Sequence, residues 1–442
     1  MNDSVRLGLY ISVPFCRTKC SYCNFVSDVF SKSAYENYVL RLLEDIASAR
    51  ELASELGGWL TDEAAADSVY LGGGTPSILE SAQLLRIFTA VRAEFAVTPD
   101  AEVTVECAPG TLSPGLIGTL MRCGVNRVSL GVQSFVDQEA HAVGRLHKRA
   151  TVLEEIARLR DSGLTNISID LIAGLPHQTP ESWCYTLRET IAAGVPHVSV
   201  YMLEVDQDSR LGRELMAGGA RFHAHFVPDE DAIADSYQQA CEMLNAAGIA
   251  QYEISNFARV ESTPPRSDSP RTEVSPSYQS RHNLKYWTRQ PYLGLGVDAH
   301  SMLQRIPLGE RRAAWQHPRD TLSAVRFATP DAIDAYMNRK PHTVTPVGAR
   351  AAVEEEFFLG LRLNGGIDLE RLRIEYGSRF GRETVAHWES AIQRCVQDGL
   401  LEPPDRTLRL TGRGRLLSNE VFARFLVENE EIKAGTGHVN PR

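Results

Sequence analysis

The chain has 442 residues, is 43% hydrophobic and 23% charged, and carries a formal net charge of −10. Its length exceeds one ordinary domain, and its composition excludes a mainly disordered or fibrous protein. The acidic balance argues against nucleic acid or an anionic membrane surface as the main partner.

No run of 18 or more apolar residues occurs, and the first residues contain no apolar segment. The expectation is a cytoplasmic protein without a transmembrane segment. Residues 7–204 alternate short apolar runs with helix-length amphipathic stretches. Strands are predicted at 9–13, 68–71, 102–106, 127–130, 168–172 and 197–202, with helices near 34–56, 79–95, 113–123, 150–162 and 180–193. Six β/α repeats imply a parallel sheet with right-handed crossovers, an α/β partial (β/α)6 barrel of TIM-like kind. In such a sheet the functional loops leave the C-terminal ends of the strands.

The first strand runs directly into Cys16, Cys20 and Cys23, three of the eight cysteines, spaced C-x3-C-x2-C. A thiolate trio on one loop points to a soft metal centre. A zinc site wants a fourth Cys or His nearby, and none follows within about a dozen residues. An iron–sulfur cluster of the [4Fe–4S] type normally takes four cysteines, so three leave one iron open to a second molecule. The remaining cysteines (Cys107, Cys123, Cys184, Cys241 and Cys395) are scattered without pairing motifs, as in a reducing compartment.

The later strand ends carry polar groups in turn. Gly72-Gly73-Gly74-Thr75-Pro76 follows the second strand, and its glycines let backbone groups approach a ligand closely. Glu106 closes the third strand, where a carboxylate can accept both hydroxyls of a ribose. Gln133 follows the fourth, with Arg145 a little beyond, and a guanidinium suits a carboxylate because its fork bonds both oxygens. Asp170 lies in the fifth strand and Glu204 just after the sixth.

With Tyr22 before its last cysteine, the C-x3-C-x2-C loop resembles the signature of radical S-adenosylmethionine (SAM) proteins. That resemblance implies a [4Fe–4S] cluster on Cys16, Cys20 and Cys23, with SAM chelated to the free iron and a low-potential electron donor. It implies SAM contacts from Tyr10, Tyr22, Gly73, Gly74, Thr75, Pro76, Glu106, Gln133, Arg145, Asp170 and Glu204. The family usually has His at position 12 and Asn at position 108, where this chain has Ser12 and Ala108.

Residues 229–247 read as one amphipathic helix, and 260–279, rich in Pro, Ser and Thr, as a disordered insertion. Beyond it stand His282-Asn283-Leu284-Lys285-Tyr286-Trp287 and a Y-L-G-x-G-x-x-A-H-S string ending at Ser301. Together with D-L-I-x-G-L-P at 170–176, these are similar to the coproporphyrinogen III oxidase-like branch of radical SAM proteins. The oxidases of that branch have a further Cys two places after the trio, where Phe25 stands here, and a longer N-terminal arm. H-N-x-x-Y-W is typical of the branch's HemW-type haem chaperones. The resemblance therefore implies haem as cargo, haem-acceptor proteins as partners, and a haem site at His282, Asn283, Tyr286 and Trp287. His282 can ligate haem iron or donate a proton near neutral pH. Oxidative decarboxylation of coproporphyrinogen, or plain electron transfer, are the other readings.

Helical patterns at 331–338, 347–361, 367–376 and 382–399, then two short strands around a turn, suggest a C-terminal helical, winged-helix-like domain. In the acidic chain it reads as a lid or docking unit. The expected divisions are a radical SAM barrel over 1–230, a barrel extension over 231–330 and this domain over 331–442. Residues 430–442 read as a frayed end.

Overall fold

The computed structural model describes residues 6–61, 64–207, 209–219, 222–260, 278–304, 322–376 and 382–426. The insertion expected at 260–279 lies almost wholly outside the described residues, as does the expected frayed end. Two compact units form: Met1–Tyr286 with Gln290–Val347, and Trp287–Arg289 with Gly348–Arg442.

The first unit is built on one twelve-stranded sheet. Its strands are β1 (Arg6–Val13), β2 (Ala65–Gly73), β3 (Ala96–Cys107), β4 (Arg127–Gln133), β5 (Ile167–Ala173), β6 (His197–Met202), β7 (Ile249–Gln251), β8 (Asn256–Arg259), β9 (Tyr292–Leu295), β10 (His300–Gln304), β11 (Leu322–Ala328) and β12 (Thr343–Gly348). The order is β12-β11-β10-β9-β1-β2-β3-β4-β5-β6-β8-β7. All six expected strands form, parallel and in sequence order. One edge is extended by β9, parallel to β1, and the other by the antiparallel β7–β8 pair. The fold is thus the partial α/β barrel that the repeats predict.

Helices α1 (Lys32–Ala47), α2 (Ala49–Glu55), α3 (Ser81–Glu94), α4 (Pro114–Arg122), α5 (Asp137–Ala142), α6 (Arg149–Asp161), α7 (Pro180–Ala192), α8 (Arg210–Ala217), α9 (Glu230–Ala246), α10 (Arg281–Trp287) and α11 (Ile333–Met337) follow the strands. The single helix expected over 34–56 is two, broken at Ser48. Ser113 and Thr179 cap α4 and α7 by accepting from backbone N–H groups, and each precedes a Pro in the first turn.

Alternation along the strands sorts the two faces of the sheet. On β1, Leu7, Leu9, Ile11 and Val13 are fully buried, as are Leu71, Val105, Val128, Leu130, Ile167 and Ile169 on its neighbours. Each such side chain contributes about 1.5–3 kcal/mol by burial, so this apolar face holds the sheet. The alternate positions (Tyr10, Tyr70, Glu106, Arg127, Ser129, Asp170) are polar, which leaves the other face for chemistry.

In the second unit, α12 (Ala349–Gly360), β13 (Ile367–Asp368), α13 (Leu369–Tyr376), α14 (Arg382–Gln397), β14 (Thr407–Leu408), α15 (Gly412–Leu416) and α16 (Ser418–Ala423) pack around Phe357, Trp388 and Phe425. β13 and β14 pair antiparallel, and Leu401 bridges Leu410. Residues 331–347, expected in this domain, group with the first unit, whose sheet ends in the edge strand β12.

Candidate functional site

Past β1 the chain turns across the strand ends. Phe15 stacks on Tyr35 with ring centroids 4.1 Å apart and meets Tyr38 edge-on, which anchors the turn. Cys16 N–H donates to Asp28 O at 3.0 Å, and Asp28 N–H to Pro14 O at 3.0 Å, closing the loop's base. Lys19 Nζ donates to the carbonyls of Phe25 and Ser27 at 2.8 and 2.6 Å and shapes its tip. The result places Cys16, Cys20 and Cys23 together in the wall of one cavity of about 290 Å³. Burial pushes the Cys16 thiol pKa up, while Thr75 Oγ1 donates to its sulfur at 3.6 Å. Among the described residues no His, Cys, Asp or Glu group closes around a single ion. Three thiols in the wall of one cavity suit a polynuclear cluster, which holds each sulfur on a separate iron.

The glycine run fits against this loop. Gly74 N–H donates to Val13 O at 2.8 Å and Thr75 N–H to Phe15 O at 2.7 Å. Gly73 adopts φ +101°, and a Cβ on Gly72 would meet the Glu106 carboxyl at 2.9 Å. Glu106 is held by Tyr70 OH, donating to Oε1 at 2.8 Å, and by Gly73 N–H, donating to Oε2 at 3.1 Å. Each oxygen keeps a further lone pair for a ligand hydroxyl. Burial, reinforced by the Asp170 charge, pushes the Glu106 pKa up to about 7. Burial likewise raises Asp170, whose two oxygens accept from Ser129 Oγ at 3.1 and 3.0 Å.

On the far side stand Gln133 and Arg145. Gln133 has φ +69°, a strained conformation for a side-chain-bearing residue, which marks a position fixed by its surroundings. Its Oε1 and the Nε of Arg145 are buried without a hydrogen-bond partner. Arg145 Nη2 donates to Tyr22 OH at 2.9 Å, which ties Arg145 to the cysteine loop. Unpaired buried polar atoms cost about 1–3 kcal/mol each, and in the cavity wall both are open to a polar ligand. Three thiols, a carboxylate pair and a free guanidinium edge fit a cluster and an amino-acid nucleoside.

Of the expected residues, the cavity wall includes Tyr22, Gly73, Gly74, Thr75, Glu106, Gln133, Arg145 and Asp170 with the three cysteines. Three others lie elsewhere. Tyr10 sits behind Gly73, Pro76 is buried in the turn that follows, and Glu204 is exposed beyond β6. Tyr201, three residues earlier, lines the cavity in Glu204's stead because β6 ends at Met202 and the chain turns outward. Tyr70 and Ser129 were not anticipated. Each lies two residues before a glycine on the inward face, so the strand alternation was their signal.

His282 departs most from expectation. It is 1% exposed, and both ring nitrogens are engaged: Nδ1 with Ser68 Oγ at 3.0 Å and Nε2 with Tyr286 OH at 2.8 Å. Ser68 and Glu102 stand side by side, four residues before Gly72 and Glu106 respectively, and Glu102 accepts the backbone N–H groups of Arg281 and His282. The motif therefore sits toward the N-terminal ends of the strands, away from the cysteine loop. Burial, then the Lys285 charge, lowers the His282 pKa to about 3, so it is no proton donor near neutral pH. In this arrangement no ring nitrogen is free for iron. Tyr286 packs edge-on against His282 and Tyr292, and Trp287 lies under the Arg362 guanidinium at 4.4 Å, so each ring is occupied by its own packing. Asn283 is half-buried on the same short helix, its N–H donating to Ser280 Oγ at 3.4 Å.

Comparison with known proteins agrees with this geometry. The profile of the radical SAM superfamily matches residues 10–190, and that of the HemN C-terminal domain residues 349–417. The fold and the three-cysteine mouth are those of a radical SAM protein. The heme chaperone HemW of Bacillus subtilis is 30% identical over 423 residues, which cover 95% of this chain and 99% of that one. HemW of Escherichia coli is 32% identical over 322 residues, covering 71% and 75%. The chain belongs to the HemW family of the radical SAM superfamily. Among solved structures, the coproporphyrinogen III oxidase HemN of Escherichia coli superposes with a TM-score of 0.73 at 21% identity, covering 96% of this chain and 90% of that one. That likeness concerns the fold. Membership implies a [4Fe–4S] cluster and SAM, and among the described residues no helix is long and apolar enough to cross a membrane.

Proposed function

We infer that this protein is a radical SAM haem chaperone that carries a cluster on Cys16, Cys20 and Cys23, binds SAM at the strand mouths and passes haem to acceptor proteins. When bound, cluster and SAM together supply one-electron chemistry. The chain's own residues do the positioning: Arg145 and Gln133 take the ligand's carboxylate and polar groups, Glu106 accepts its ribose hydroxyls, and the Gly73–Thr75 backbone supports its methionyl end.

The observation that carries the choice of chaperone over oxidase is position 25. Where the oxidases have a further cysteine, Phe25 stands 62% exposed in the cavity wall, with Leu146 at 65% and Tyr201 at 43%. Such an apolar rim suits a flat hydrophobic cargo better than a tetracarboxylate reduced porphyrin. The test is an anaerobically reconstituted sample divided between two assays. One supplies coproporphyrinogen III, SAM and a low-potential reductant and follows loss of carboxylate; the other titrates haem. Stoichiometric haem binding without decarboxylation is expected. Turnover of coproporphyrinogen would instead identify an oxidase.

A further inference from the structure

Strand β4 does not end smoothly. Its register against β5 slips between Gly131 and Gln133, so one extra residue stands on β4. Directly after the slip, Ser134 N–H donates to Val132 O at 2.9 Å across Gln133. With Gln133 at φ +69°, this is the rarer, strained form of the three-residue turn. The turn decides where the Gln133 amide goes. A Cβ on Gly131 would stand 3.3 Å from Gln133 Nε2 and 3.4 Å from Arg145 Nη1 and Nη2. Amide and guanidinium therefore lie together over the bare backbone of Gly131.

A strained turn persists only where its surroundings hold it. On one side Ser134 Oγ donates to Glu139 Oε2 at 2.7 Å and lies 3.2 Å from Thr186 Oγ1. On the other side stands His147, whose Nε2 is 3.1 Å from Val132 O. A carbonyl only accepts, so Nε2 carries the proton and donates it. His147 is 7% exposed and belongs to the wall of the cysteine cavity. Burial, then the Arg145 charge, lowers its pKa to about 4, so at neutral pH the ring is neutral. Its single N–H is committed to Val132. Arg145, two residues earlier, has its own backbone N–H on Ala140 O at 3.0 Å. The chain from Gln133 through α5 to His147 is thus a closed loop, with the imidazole joining its ends.

We propose that His147 is a positioning residue for SAM: it clamps the Val132 carbonyl and thereby aims Gln133 beside Arg145. The inference rests on the reading of this cavity as the SAM site and adds how its two unpaired groups are kept side by side. If Gln133 relaxed to negative φ, its side chain would leave Gly131 and the guanidinium. His147 opposes that relaxation because Val132 O is the acceptor on which the strained turn closes. The clamp and Arg145 share one loop, so a single short segment supplies one ligand contact and steadies the other.

The experiment measures SAM affinity of the full-length, cluster-loaded protein and, without ligand, amide hydrogen exchange of residues 130–136. Wild type is compared with His147→Leu and His147→Met, which fill the space without a donor, and with His147→Gln, which returns an N–H. Gln133→Ala and the double variant His147→Leu/Gln133→Ala complete the set, and circular dichroism verifies folding. Both donor-free variants are expected to lose SAM affinity about five- to tenfold, the size of one hydrogen bond. They are also expected to exchange the Ser134 amide faster, while His147→Gln stays near wild type in both measurements. Because the clamp acts through Gln133, the double variant should bind SAM no more weakly than Gln133→Ala alone. A histidine with a merely structural role would give additive losses. Additive losses, or wild-type affinity and exchange in both donor-free variants, would overturn the clamp while wild-type binding keeps the SAM site. If the wild type binds no SAM, the site reading fails and the clamp with it.

Discussion

The two ends of the barrel use polar residues in opposite ways. At the C-terminal mouth the polar groups are half-satisfied: Gln133 Oε1 and Arg145 Nε have no partner, and Glu106 and Asp170 are held in protonation states shifted by burial. Toward the N-terminal end the motif's key groups are matched: His282 bonds through both nitrogens, and Lys285 pairs with Asp67 at 2.7 Å while donating to Arg6 O and Gln290 Oε1. Open buried donors and acceptors at the mouth suit a ligand, whereas His282 and Lys285, whose polar atoms are matched, serve stability. A Cβ on Gly8 would meet Lys285 Cδ at 2.7 Å and His282 Cε1 at 3.3 Å, so these two side chains are seated against β1.

This contrast can be broken most sharply at the cysteine loop. Cys16→Ala should abolish cluster assembly, measured as bound iron and sulfide after anaerobic reconstitution, while the melting temperature of the cluster-free protein stays close to wild type. At the other end, Lys285→Met should cost about 3–5 kcal/mol in denaturant unfolding, because Asp67 loses its buried partner. Its reconstituted iron content should be unchanged under conditions where the variant is folded.

Glu106 gives the mouth a pH signature. Its pKa in the folded protein is about 7, above the ordinary carboxyl value of 4.5, so the folded state holds a proton that the unfolded chain has released. Stability from this group is therefore present below the unfolded pKa and is lost as pH rises toward 7, by up to about 3 kcal/mol. Glu106→Gln should flatten that slope when unfolding midpoints are compared at about pH 5 and about pH 8. SAM affinity in wild type should rise across the same interval as the carboxylate forms, and a flat affinity profile would remove Glu106 from the ribose contact.

Much of this was legible in the chain itself. The six strands and the loops after them could be placed because parallel strands of period two bring those loops to one predictable end. Glu204 was misplaced because one residue of strand length decides whether a side chain faces the cavity or solvent, and β6 stops at Met202. Tyr70 and Ser129 were passed over because each acts through a carboxylate on a neighbouring strand, a pairing set by register. His282 misled for a related reason: a motif records which residues travel together, and only the packing of Ser68 and Tyr286 on its nitrogens shows that the ring is already committed. The His147–Val132 contact joins residues 15 apart in sequence and carries no local pattern at all.

The most direct test sets one residue from each end side by side. SAM affinity of the cluster-loaded protein and the thermal unfolding of the same samples would be measured for Arg145→Ala and His282→Ala. Arg145→Ala should lose SAM affinity by roughly ten- to a hundredfold, the size of a charge-assisted contact, with little change in melting. His282→Ala should lose about 2–4 kcal/mol of stability, from a cavity and two stranded hydroxyls, while binding SAM as wild type does. The reverse pattern, with SAM binding lost in His282→Ala and kept in Arg145→Ala, would contradict the division of labour between the two ends.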